Sequence, residues 1–379
     1  MADELVITNA RIVTCDEEFF GSLHVDDGRI AAVSQGATAV AAQDWNGDYL
    51  LPGLIELHTD NVEKHLMPRP GVRWPVLPAL LSHDAQIASA GITTVFDALA
   101  LGDFDAGSIR AQNIAPIIAA LRSAREQGML RADHLLHLRC EIACANVVEL
   151  LQPFDRDPMV RMISIMDHTP GQRQWTDMDK FRIYYQRHET WSDAKTQSEI
   201  EHRKSLQRQY ADINRQVVVA MCRGRAVPLA SHDDTTVEHV EQAVAEGASI
   251  SEFPTTLAAA RAAREHALGI VMGAPNVVRG ESHSGNVSAL ELARTGLLDV
   301  LSSDYVPASL LHAAFLLVEH AGFSVPAAVA TVSANPARLA RLEDRGEIAC
   351  GKRADFARVR VREGIPAVLA VWSAGRRIV

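Results

Sequence analysis

No two cysteines of this chain stand in the C-x-x-C spacing. Its five cysteines fall singly, at Cys15, Cys140, Cys144, Cys222 and Cys350, which argues against a thiolate zinc site. The odd count suits a reducing compartment with free thiols. Positive charge is in deficit: 37 Lys and Arg against 47 Asp and Glu leave a net charge of -10. That argues against nucleic acid or an anionic membrane as a broad partner, although a basic pocket can still form locally. No apolar run is long enough to span a bilayer. The start, Met1-Ala-Asp-Glu-Leu-Val6, has neither the basic nor the apolar region of a secretory leader. A cytoplasmic placement is expected. Internal repeats and low-complexity tracts are missing too.

What is present is an ordinary globular composition, 47% hydrophobic and 22% charged over 379 residues, enough for a large core. Leu5–Thr14, Ser22–Asp26 and Arg29–Val33 read as strands, with Asp26-Asp27-Gly28 as a hairpin signal. Ala354–Val361 and Ala367–Trp372 have the same texture, so both ends are expected to share one small β domain. Between them apolar strands alternate with helical patterns, ending near His58, Asp97, Glu141, His168, His232, Thr255, Asn276 and Asp304. Eight βα units predict an α/β fold, a (β/α)8 TIM-like barrel, with its chemistry at the C-terminal strand ends. A doubly wound sheet is disfavoured because no G-x-G-x-x-G follows the first strand. The expected division is a composite β-sandwich from 1–52 plus 345–379 and a barrel from 53–344. A polar helical insert at about 169–225 is either a lid or oligomer contact, or a solvated excursion.

Six residues of metal-ligating type close apolar runs: His58, Asp60, Glu141, His168, His232 and Asp304. Residues two apart on a strand share a side, so His58 and Asp60 face the same way. Any one histidine alone is more often a hydrogen-bonded core residue. Six such groups converging at one barrel mouth point instead to one or two divalent metal ions. A carboxylate can bridge two ions, and Asp304 is placed to take a proton from water.

Those residues carry a resemblance. Leu51-Pro-Gly-Leu-Ile-Glu-Leu-His58, the positions of His168, His232 and Asp304, and Gly346-Glu-Ile-Ala-Cys-Gly-Lys-Arg-Ala-Asp-Phe356 resemble the amidohydrolase superfamily. The resemblance implies a metal-dependent barrel and a β-sandwich built from both chain ends. The superfamily commonly has a second histidine where this chain has Asp60, and often a modified lysine as bridging ligand, for which Glu141 is the candidate here. The carboxylate makes the site harder, widening its tolerance from zinc towards manganese or iron.

Longer motifs, His58–Pro75, Ser82-His-Asp-Ala85, Leu136–Glu141, Met166–Gln174, Ala230–Asp234 and Met272–Asn286, resemble a narrower family, the diphosphatases of the carbon–phosphorus lyase pathway of phosphonate degradation. This implies hydrolysis of a small-molecule ribose 5-triphosphate to the 5-phosphate and pyrophosphate. Lys64, Arg69, Arg139, Arg173 and Arg279 are the expected phosphate contacts, arginine offering a planar fork to phosphate oxygens. His283 is expected to touch phosphate or the leaving oxygen. The alternative is an amidohydrolase acting on a cyclic amide, or a deaminase or deacetylase, which would not need several cations. Relatives of this kind imply a homo-oligomer.

Overall fold

The chain ends meet in one sheet. The structure, a computed structural model, describes residues 4–38, 41–104, 109–175, 181, 192–280, 282 and 285–379. From the N-terminus come β1 (Leu5–Val13), β2 (Glu18–Asp26), β3 (Arg29–Gln35), β4 (Gln43–Asp44) and β5 (Tyr49–Pro52). The β2–β3 hairpin turns on Asp27 and Gly28, with φ of 45° and 72°, both in the left-handed region that a type I′ turn needs. The C-terminal strands β14 (Phe356–Arg362), β15 (Ile365–Ser373) and β16 (Arg376–Arg377) join through β14, which pairs antiparallel with β5. The order is β16-β15-β14-β5-β1-β2-β3, with β4 against β1. The sheet encloses its own apolar cluster, in which Trp45 lies 5.5 Å from the Trp372 ring and 6.2 Å from Phe356.

The middle of the chain supplies β6 (Leu54–Thr59), β7 (Ile92–Leu101), β8 (Asp133–Glu141), β9 (Val160–Met166), β10 (Leu229–His232), β11 (Ile250–Glu252), β12 (Gly269–Gly273) and β13 (Val300–Ser302). They pair in parallel in chain order as an eight-stranded sheet. The strands are near-continuous apolar runs because helices cover their outer faces; all ten residues of β7 are buried. A bridge between Thr59 and Asp304 brings the last strand back to the first, and Thr59 Oγ1 donates to the Asp304 carbonyl at 2.6 Å. The architecture is therefore a (β/α)8-like barrel with a separate sheet from the termini. Ile55, Leu57, Phe96, Leu135, Met162, Ala230, Ile250, Val271 and Val300 fill the barrel's interior, so polar groups collect above this plug.

Several strands stop where the periodicity alone does not place the end. β9 stops at Met166 rather than His168, and β12 at Gly273, where a helix starts at once. β11 stops at Glu252 rather than Thr255, and β13 at Ser302 rather than Asp304. Phe253 and Asp304 have φ of 55° and 53°, a left-handed backbone that cannot continue an extended strand. In the interval from Thr169 to Arg225, the helix Asp193–Arg225 is the crossover from β9 to β10. It buries Ala211, Val218, Val219 and Cys222 against the barrel layer. Residues 176–180 and 182–191 of that interval lie outside the described residues.

Candidate metal centre and active site

Two histidines at strand ends share one buried carboxylate. His58 is the next-to-last residue of β6, His232 closes β10, and Glu252 closes β11. His58 Nδ1 and His232 Nδ1 each lie 2.7 Å from a separate Glu252 oxygen, and all three side chains are buried. Burial alone would raise the Glu252 carboxyl, but the imidazoles of His58 and His137 outweigh it and hold Glu252 anionic. An anionic acceptor fixes Nδ1–H on both rings and leaves both Nε2 atoms free. The His58 and His232 rings are near-parallel at 14°, with centroids 5.7 Å apart, and Phe253 packs edge-on to both.

His168 repeats the arrangement. It follows β9, and its Nδ1 lies 2.6 Å from Glu141 Oε2, while its backbone N–H donates to Glu141 Oε1 at 3.1 Å. Burial opposes protonation of His168, yet Glu141 and Asp233 outweigh it and raise its pKa to about 9. Asp233, left-handed at φ 57°, turns one oxygen to His168 Nε2 at 3.6 Å and to His232 Nε2 at 3.4 Å.

Those two spacings test whether the residues fit a divalent ion. A tetrahedral ion with nitrogen and oxygen ligands at about 2.1 Å sets its ligand atoms about 3.4 Å apart. The Asp233 oxygen stands at about that separation from each of the two Nε2 atoms, longer than the usual hydrogen bond. The contacts of Glu252 and Glu141 at 2.6–2.7 Å are hydrogen bonds by the same measure. The donor set fits a metal at His168, His232 and Asp233, with carboxylates behind each imidazole.

The histidines open into a cavity of about 510 Å³. Asp60 and Asp304 face it beside His58, His168, His232 and Asp233. Burial raises the Asp304 carboxyl above the ordinary aspartate range, and nearby Asp60 adds to the effect against the pull of His58. Lys64, Arg139 and Arg279 line the same cavity, with the neutral polar groups of Gln174, Asn286 and Tyr305. Arg139 rises from β8, and its buried Nε has no hydrogen-bond partner among the described residues. Lys64 donates to the Tyr305 carbonyl and sits 5.0 Å from the centre of that ring.

A family model described as "Amidohydrolase family" matches residues 196–379. Over 377 residues the chain is 45% identical to the α-D-ribose 1-methylphosphonate 5-triphosphate diphosphatase of Escherichia coli, covering 99% of this chain and 100% of that protein. The chain belongs to the amidohydrolase family. It is a hydrolase. Amidohydrolases typically use divalent metals, and the histidine–carboxylate groups here are of that kind. Among solved structures, N-acetylglucosamine-6-phosphate deacetylase from Pasteurella multocida superposes with a TM-score of 0.67 at 12% identity, covering 99% of each chain. Dihydropyrimidinase from Brevibacillus agri gives 0.62 at 15% identity, covering 99% of this chain and 95% of that one. At such identities the likeness is one of fold.

In this amidohydrolase the expected site residues divide. His58, Asp60, His168, His232 and Asp304 come together at the cavity with Lys64, Arg139 and Arg279. Glu141 stands behind His168 rather than on the cavity wall. Arg173 is 3% exposed and folds inward, donating to Ser231 Oγ at 3.1 Å and the His232 carbonyl at 3.2 Å, and pairing with Asp234. Arg69 is exposed, bridged to Val72, and not among the cavity residues. His283 lies outside the described residues. Sequence reading missed Glu252 and Asp233. The signal for Glu252 was a carboxylate inside Ile250-Ser-Glu-Phe253, and for Asp233 its place next to His232. Among the described residues no helix is long and apolar enough to cross a membrane.

Proposed function

We propose that this amidohydrolase hydrolyses a ribose 5-triphosphate carrying a methylphosphonate at carbon 1, giving the 5-phosphate and pyrophosphate. The observation that carries the reading is the pairing of chemistries in one cavity. Lys64, Arg139 and Arg279 share it with His58, His168, His232, Asp60, Asp233 and Asp304. An amide substrate has no need of three cations there, whereas a triphosphate does. The 45% identical diphosphatase of Escherichia coli supports the choice of substrate.

His168, His232 and Asp233 would hold a divalent ion, zinc, manganese or iron, with His58, Asp60 and Asp304 beside it for a second. A bound ion supplies Lewis acidity and makes water acidic enough to lose a proton near neutral pH. Glu141 and Glu252 keep each imidazole in the Nδ1–H tautomer and fix its aim. Asp304 takes the proton of the attacking water. Its raised pKa makes it a stronger base than an ordinary aspartate. The water oxygen bonds to the α-phosphorus, the bond from the α-phosphorus to the oxygen bridging it to the β-phosphorus breaks, and that oxygen leaves with the electron pair as part of pyrophosphate. Lys64, Arg139 and Arg279 bind phosphoryl oxygens and offset the charge of Asp60 and Asp233.

Hydrolysis in ¹⁸O-labelled water tests this directly. The label is expected in the sugar 5-phosphate. Label in pyrophosphate, or release of inorganic phosphate alone, would refute attack at the α-phosphorus.

A further inference from the structure

The motif Ser82-His-Asp-Ala85 has no part in the cavity, yet its histidine and aspartate are both buried without exposure. His83 and Asp84 lie on the helix Val76–Ser89, against Asp97 of β7 and His134 of β8. His83 Nε2 lies 2.8 Å from Asp97 Oδ1, and His134 Nδ1 lies 2.8 Å from Asp97 Oδ2. His134 Nε2 reaches Asp84 at 3.3 Å. The two 2.8 Å spacings to Asp97 are those of hydrogen bonds, and the two nitrogens of His134 point to different aspartates. Hydrogen bonds, rather than ion ligation, account for the short spacings.

The far end of this chain of bonds is Asn61, 1% exposed and next to Asp60. Its Nδ2 donates to His83 Nδ1 at 3.1 Å and to Gln86 Oε1 at 2.8 Å. With Asn61 donating, His83 Nδ1 must be the acceptor, so His83 is neutral and carries its proton on Nε2, towards Asp97. Burial, which lowers the pKa of His83, agrees. Asn61 also begins the helix Val62–Leu66, which brings Glu63 and Lys64 to the cavity. That helix is only five residues long and has no side-chain cap bond at its N-terminus. A segment so short is held by its surroundings rather than by its own helical bonds.

We infer that His83 is a positioning residue for the active site: by holding the Asn61 amide from behind, it fixes the turn that presents Asp60, Glu63 and Lys64. The inference rests on the reading above for the roles of Asp60 and Lys64. Asp97 orients His83, and His134 with Asp84 anchors Asp97, so the motif, a barrel strand and the active-site turn form one hydrogen-bonded unit.

Two near-isosteric variants separate this from general structural support. The asparagine oxygen of His83→Asn stands where Nδ1 stood and still accepts from Asn61. Glutamine in His83→Gln reaches Asp97 instead and takes the position-83 acceptor from Asn61, whose Nδ2 keeps Gln86 Oε1. Each loses one bond of the network. The expected result is that His83→Gln lowers kcat/KM about tenfold or more, since small misplacements of catalytic groups are costly, while His83→Asn keeps most of it. Hydrogen exchange by mass spectrometry should show faster exchange of residues 60–66 in His83→Gln alone. Equal kcat/KM and equal exchange in the two variants overturn the inference. Should His83→Gln not fold, Asn61→Ala leaves the His83–Asp97 bond intact and must show the same loss and the same local exchange; wild-type behaviour there overturns it. A wild type inert towards the triphosphate defeats the functional reading instead, and the exchange result still decides this one.

Discussion

Replacing Glu252 by glutamine is the sharpest perturbation of the metal centre that leaves every proposed ligand in place. Glu252 is fully buried and accepts from His58 Nδ1 and His232 Nδ1, both at 2.7 Å. Glutamine keeps one acceptor oxygen and puts an NH2 group where the other stood. That group can face a ring nitrogen only if the nitrogen carries no proton. One of the two histidines must then move its proton to Nε2, the atom a metal needs. A hydrogen bond to a charged partner is worth about 1.5–3 kcal/mol. Loss of an outer carboxylate behind a metal-binding histidine commonly weakens metal binding about 10–100-fold, which is about 1.4–2.8 kcal/mol. The two routes agree in size. Titration against a chromophoric chelator measures the affinity, with circular dichroism to verify the fold and Glu141→Gln as the parallel case behind His168. Metal affinity within about twofold of wild type in a folded Glu252→Gln protein would refute the tautomer argument. A loss beyond about a thousandfold would make Glu252 itself a ligand.

Asp304→Asn should keep the ion at His168, His232 and Asp233 and lose about 10²–10⁴ of kcat; normal turnover would remove Asp304 as the base. Arg173→Ala should lower the free energy of unfolding in urea by about 3–5 kcal/mol, because it strands the buried Asp234 carboxylate. Arg279→Ala, at an exposed position, should leave stability within about 0.5 kcal/mol and raise KM for the triphosphate. Stability should also fall as pH rises from neutral to alkaline. Burial disfavours a charged His134, but Asp97 and Asp84 outweigh it and raise its pKa from 6.5 to about 9. A raised histidine contributes its stability fully below about pH 6.5 and loses it as pH rises through about 9. Urea midpoints at those two pH values should differ more in wild type than in His134→Phe.

The barrel was legible because its eight strands are buried on both faces and read as apolar runs, and the terminal sheet because its hairpin and its strands alternate. His58, His232 and Asp304 were legible for the same reason: a ligand-type residue that ends an apolar run sits at the barrel mouth. Glu252 and Asp233 were not. Their roles depend on single residues with left-handed backbone at Phe253 and Asp233, and a local change of φ leaves no trace in hydrophobic periodicity. Arg173 shows the same limit from the other side. An arginine in a loop just after a strand end can reach out to an anion or fold back, and the buried Asp234 that draws it inward comes from another strand's loop. Glu141 was found as a residue, while its position behind His168 rather than beside an ion depends on distances that spacing does not encode.

Substrate class tests most directly whether this amidohydrolase cavity acts on a phosphoric anhydride. Metal-loaded protein incubated with ribose and nucleoside 5′-triphosphates, and separately with cyclic amides, can be followed by phosphorus NMR and by amide absorbance. Pyrophosphate release from the triphosphates, with the amides untouched, is the predicted result. Ring opening of a cyclic amide while the triphosphates stay intact would contradict it.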